Sequence, residues 1–189
     1  MHKGRLEAFS DGVVAILITI MVLELKQPKD ASWEALVALK SVFAPYVLSF
    51  VFLGIYWNNH HHMLHMVERV TGGILWANMH LLFWLSLVPF VTAWMGEHFE
   101  SKPTAAYGAV LLMAGVAYYT LARVIIASEG PHSKLAAAIG ADRKGLLSIG
   151  LYLAAIVLAF VHPWIAAVIY ILVALMWLVP DRRIEKRLR

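Results

Sequence analysis

No cysteine occurs in the 189 residues, which removes disulfides, thiolate metal sites and cysteine nucleophiles together. Charge is scarce as well. Asp, Glu, Lys and Arg make up 15% of the chain, against about 25% in an ordinary soluble domain, while 61% of residues are hydrophobic. That balance excludes a soluble fold and predicts an integral membrane protein. Also missing are an internal repeat, a low-complexity tract and any polar stretch long enough for a second domain. Residues 1–189 therefore read as one transmembrane domain with no extramembrane enzyme attached. The absent repeat counts against an inverted-repeat transporter, whose halves carry paired Gly/Pro breaks. The start lacks the marks of a signal peptide. Glu7 and Asp11 stand where such a peptide is basic, no small-x-small cleavage site follows Leu23, and the first helix is expected to remain in the mature protein.

What the chain does have is a series of apolar runs of helical length, so the predicted class is all-α. A first helix covers about residues 6–25 and stops at Pro28; its purely apolar part, 12–23, is short, which suits a helix surrounded by protein or water better than one facing lipid. Trp33 to Val37 reads as an amphipathic start to a second helix over about 41–63, with Pro45 as a kink. A third helix is expected over 74–95, including Asn78, His80 and Pro89, followed by a polar loop over 97–103. Pro103 opens a fourth helix that reaches about 126, and 130–144 is the longest polar connection. The last run, 146–179, is too long for one span and is broken at His162-Pro163, giving helices five and six.

Six spans place both termini on one side of the membrane, and the basic residues test that count. Lys3, Arg5, Arg69, Arg123, Lys134, Arg143, Lys144, Arg182, Arg183, Lys186, Arg187 and Arg189 fall at one set of ends, and only Lys26, Lys29, Lys40 and Lys102 at the other. Such a bias predicts cytoplasmic termini and a multi-pass protein of the plasma membrane. It also accounts for the net charge of +4 without a nucleic-acid partner. The basic carboxyl end, 182–187, fits either a stop to translocation or contact with anionic lipid.

Within the first helix, Ile16, Ile20 and Leu23 fall on one narrow stripe with Thr19 at its edge, at about 100° per residue. Asp11 lies on roughly the opposite side, aimed at whatever packs behind. A carboxylate at the edge of hydrocarbon requires a donor. Taken from spacing alone, the stripe fits either ordinary core packing or a surface lining a path. Ser10 and Asp11 fit either a helix cap or part of a polar network.

The pattern Arg5-x-x-x-Phe9-Ser10-Asp11 before an Ile/Val/Leu/Thr helix resembles the first-helix signature of the endolysosomal potassium-leak channel family, in its bacterial single-repeat branch. Trp57-x-x-His60-His61 and Trp76-x-Asn78 extend the likeness over most of the chain. The resemblance implies a homotetramer in which first helices surround a central pore and aliphatic side chains close hydrophobic rings. Ile16 then matches the narrowest ring, with Thr19, Ile20 and Leu23 further out. Arg5, Phe9, Ser10 and Asp11 hold the first helix against the second and third through Trp57, His60 or His61, and Asn78. No Thr-Val-Gly-Tyr-Gly filter occurs in the sequence, so the implied activity is passage of monovalent cations with a modest preference for potassium over sodium. Glu24 would draw cations to an outer vestibule. No cofactor is implied beyond the permeant ion, and no enzymatic step.

Two other readings stay open. A secondary transporter of a small cation or a proton-coupled solute would need a midplane site, for which Thr19, Ser49, Ser86 and His80 are the candidates. A metal-dependent membrane enzyme would rest on His60, His61, His62 and His65, since imidazole is the commonest metal ligand. The HxxHH element of membrane di-iron hydroxylases is absent, no acidic or cysteine partner lies nearby, and the expectation is no metal.

Overall fold

The computed structural model describes residues 2–131, 133–139 and 142–178, and the elements among them are all helices. In chain order they are α1 (Lys3–Leu23), α2 (Trp33–Ala38), α3 (Lys40–His65), α4 (Gly72–Ser86), α5 (Val88–Glu97), α6 (Ser101–Glu129), α7 (Lys134–Ile139), α8 (Arg143–Ala159) and α9 (Pro163–Leu178). Among the described residues, four stretches are long and apolar enough to cross a membrane: Lys3–Leu23, Lys40–His65, the run Gly72–Glu97 across α4 and α5, and Ser101–Glu129. Pro163–Leu178 is a shorter apolar helix.

Local chemistry sets the boundaries. The Ser32 hydroxyl accepts from the Ala35 amide and starts α2 as a helix of its own, separated from α3 at Leu39, where a single helix with an amphipathic start was expected. Pro45 sits inside α3 without ending it. Pro89 has the opposite effect. Lacking an N–H for the carbonyl four residues back, it splits the expected third helix at Leu87 and occupies the first turn of α5. Helix α6 begins two residues before Pro103 and runs to Glu129, three residues beyond expectation, until Gly130 leaves the helix at φ 98°. The long polar connection is not wholly irregular, because α7 forms within it. Asp142 accepts from the Gly145 amide at the head of α8, and Pro163 opens α9 after a turn at 160–162. The expected basic tail, 182–189, lies outside the described residues.

Helix α6 is the centre of packing, against α4, α5, α8 and α9. Its buried residues Tyr107, Leu111, Ala114, Ala117, Leu121 and Ile125 recur at three- and four-residue steps, and small residues let neighbours approach closely. Gly108 is the sharpest case: a Cβ there would lie 2.1 Å from the Tyr170 hydroxyl, which donates to the Thr104 carbonyl at 3.0 Å. Between α3, α5 and α6, Ser49 lies 2.7 Å from the Thr92 hydroxyl and 2.9 Å from that of Tyr107, all buried.

By contrast α1 is peripheral, resting on α3, α4 and α5 along one side. Lys3 donates to the His65 carbonyl, and the Glu68 amide donates to Glu129 at 2.6 Å, which gathers the start of α1, the end of α3 and the end of α6. Lys26 pairs with Glu97 at the other end.

Candidate functional site

Helix α1 has two faces of different fate. Leu6, Ser10, Val14, Leu17 and Met21, spaced by three and four residues, are buried against the neighbouring helices; Leu17 is 5% exposed and Val14 6%. On the other side Ile16 is 58% exposed, Ile20 40% and Leu23 80%, with Thr19 exposed between them. The Thr19 hydroxyl donates back to the Ala15 carbonyl at 2.6 Å, so it needs no outside acceptor in an apolar setting. The stripe named from sequence is thus the surface that the subunit leaves uncovered. Glu24 caps the end of α1 and is exposed just beyond Leu23. The nearby Lys26 ammonium is held above its usual range, chiefly by its hydrogen bond to Glu97 and also by the charge of Glu97 and Glu24.

The docked face is fastened by a buried polar chain. Ser10 donates its one hydroxyl proton to the Leu6 carbonyl at 2.9 Å, so its oxygen accepts from Asn78 Nδ2 at 3.0 Å. That orients the amide and turns Asn78 Oδ1 toward His60 Nε2, 2.7 Å away. His60 must therefore carry its proton on Nε2. Ser10 and Asn78 are 1% and 0% exposed, and His60 is buried with them. The chain joins α1, α4 and α3 at one level.

Asp11 makes a separate link. Its carboxylate accepts from Trp57 Nε1 at 3.0 Å on an exposed surface of α1 and α3. The two histidines left open from sequence divide here. His61 stands outside the chain and corrects the expectation that included it. The helix turns it about 100° from His60, and its ring stacks between Trp57 and His65, with centroids 6.4 and 6.2 Å away. The Arg5 and Phe9 side chains are exposed, and the Arg5 guanidinium makes no hydrogen bond or ion pair with described residues.

The candidates for a midplane transport site do not converge. Thr19 and Ser86 bond to their own helix backbones, His80 accepts from Trp84 one turn away, and Ser49 is consumed by Thr92 and Tyr107. Among the described residues no group of three or more His, Asp or Glu is placed to hold a metal. Among the fastenings that escaped the sequence reading are the Lys3 bond to His65 and the Ser49–Thr92–Tyr107 cluster. Their members lie 62, 43 and 58 residues apart, and no local spacing announces them.

Residues 5–89 match the family described as endosomal/lysosomal potassium channel TMEM175. Over its whole length the chain is 55% identical to a potassium channel of Chryseobacterium, covering 99% of that protein. It is 36% identical to a potassium channel of Streptomyces collinus over 64% of this chain and 63% of the other. The crystal structure of a lysosomal potassium-selective channel TMEM175 homolog from Chamaesiphon minutus superposes with a TM-score of 0.82 at 28% identity, covering 94% of this chain and 96% of that one.

Proposed function

The chain belongs to the TMEM175 family and is a potassium channel, and we propose that it works as a homotetramer whose four α1 helices line one central pore. The observation that carries this reading is the split of α1 into a docked face, fastened through Ser10, Asn78 and His60, and a bare stripe of Ile16, Thr19, Ile20 and Leu23. One copy offers a single such stripe and encloses nothing; closed rotational symmetry supplies the others.

In this arrangement four Ile16 side chains form the narrowest collar, and Thr19, Ile20 and Leu23 form wider levels toward Glu24. An apolar collar passes ions only when wide enough to stay wet, so it gates by dewetting. Selectivity for potassium over sodium is modest, since a ring of aliphatic side chains offers no oxygens to replace the hydration shell. The Glu24 carboxylates raise cation concentration at the outer mouth. Arg5, whose guanidinium has no partner among the described residues, and the exposed Phe9 serve contacts between subunits at the cytoplasmic boundary, beside the Asp11–Trp57 link.

The same reading gives six spans in a bacterial plasma membrane: α1, α3, α4 with α5, α6, α8 and α9. Both termini are cytoplasmic, because Lys3, Arg69, Arg143 and the basic carboxyl end then share that side. At 17 and 16 residues, α8 and α9 are short for a full crossing of about 20 residues. They sit where local thinning or flanking polar groups accommodate them.

Purified protein in planar bilayers tests the function. The expected result is unitary current whose reversal potential, under opposed potassium and sodium gradients, is displaced toward the potassium equilibrium value. Solute-coupled flux without unitary events would replace the channel by the transporter reading.

A further inference from the structure

Arg123 stands six residues before the end of α6, about 9 Å inside that helix by its rise per residue. It is exposed, and its guanidinium makes no ion pair or hydrogen bond with any described residue. A guanidinium near the end of an apolar helix, with no side-chain partner among the described residues, suits an anionic group at the membrane boundary. It lies in a shallow, open groove formed by one face of α6 alone, with Tyr119, Thr120, Val124 and Ala127. Thr120 spends its hydroxyl proton on the Val116 carbonyl at 2.8 Å, which leaves the guanidinium and the Tyr119 hydroxyl as the donors there.

Tyr119 is also a wall of a second space. On its other side a cavity of about 50 Å³ opens between α3, α6, α8 and α9, lined by Phe52, Ile55, Tyr152 and Trp177 among others. That is room for several waters' worth of apolar chain beyond what close packing leaves. A charged groove and a mainly apolar cavity thus meet at one residue, with the cation at the end of α6 that Glu129 ties to the 65–68 corner.

We propose that groove and cavity form one site for an anionic phospholipid, the phosphate on Arg123 and Tyr119 and part of an acyl chain past Tyr119 into the cavity. The chemistry favours a lipid over a soluble phosphate because the space adjoining the donors is lined chiefly by carbon. Guanidinium suits the phosphate through paired N–H donors. No residue of α1 lines the groove or the cavity, so the site shares no residue with the Ile16 stripe and does not depend on what that stripe does.

The test is native mass spectrometry of the purified assembled protein in detergent, titrated with dioleoylphosphatidylglycerol, with dioleoylphosphatidylcholine, and with glycerol 3-phosphate as competitor. Wild-type protein should hold the anionic lipid about tenfold more tightly than the zwitterionic one, the scale of a charge-assisted hydrogen bond. Arg123→Gln should erase that preference, Arg123→Lys should keep most of it, and glycerol 3-phosphate at equal concentration should displace neither lipid. Gly115→Val, whose added methyl groups enter the cavity near the Tyr56 hydroxyl, should weaken binding of both lipids. Equal binding of the two lipids, an unchanged preference in Arg123→Gln, or full displacement by glycerol 3-phosphate would overturn the proposal. So would dissociation of the assembly in Arg123→Gln, which would assign Arg123 to a contact between copies.

Discussion

Asn78 Nδ2 donates to Ser10 Oγ at 3.0 Å across the seam between α4 and α1, with both residues buried. This bond holds one position of the docked face of α1. Ser10 and Leu17 share the docked face, seven residues apart and nearly two full turns, so fixing Ser10 inward fixes Ile16 outward.

Removing the amide should therefore cost both stability and orientation. Asn78→Ala leaves the Ser10 oxygen and the His60 Nε2 proton unpaired in a buried setting, a loss of roughly 1–3 kcal/mol. Thermal unfolding in detergent, followed by size-exclusion yield of assembled protein, should show a lower midpoint and less assembly. Trp57→Phe, which breaks only the exposed link to Asp11, should shift the midpoint by less than half as much.

Gly108→Ala tests the packing of α6 on α9. Its methyl group would meet the Tyr170 hydroxyl at 2.1 Å and Cζ at 2.9 Å, so overpacking of roughly 1–3 kcal/mol is expected. Tyr170→Phe removes the nearer atom. In the double variant the loss should be smaller than the sum of the single losses, measured as a double-mutant cycle of thermal midpoints.

Replacing Ile16 by Asn should raise current and lower discrimination. Four amides hold water where an apolar collar excludes it, so the dewetting barrier falls and sodium passes with its hydration shell. Conductance and the potassium/sodium permeability ratio in bilayers check this. Leu17→Asn, 5% exposed against the neighbouring helices, should instead reduce folded yield without opening the pore.

Much of this architecture was legible because polar residues in apolar runs are costly. Asp11 stood out for that reason, and Ser10 and Asn78 through the family resemblance; in the structure Ser10 bonds to Asn78 and Asp11 to Trp57. The choice between His60 and His61 was not legible. Four of the six residues 60–65 are histidine and point to successive sides of the helix, so spacing alone selects none. The break at Leu87 was missed because Pro45 and Pro89 look alike in sequence. Pro45 lies within the continuous α3, whereas Pro89 falls in the first turn after a break. The Ser49–Thr92–Tyr107 cluster was invisible for a different reason, since each member alone reads as an ordinary helix residue.

The absence of native cysteine provides the most direct test of the central claim, that Ile16 faces the conduction path. Ile16→Cys places one thiol per subunit on the stripe, and Leu17→Cys places one on the docked face. Bilayer current is recorded before and after a cationic methanethiosulfonate reagent. Irreversible loss of current in Ile16→Cys, with Leu17→Cys and the wild type unaffected, is the result expected. Loss in Leu17→Cys with Ile16→Cys unchanged would place the pore on the other face of α1 and contradict the account.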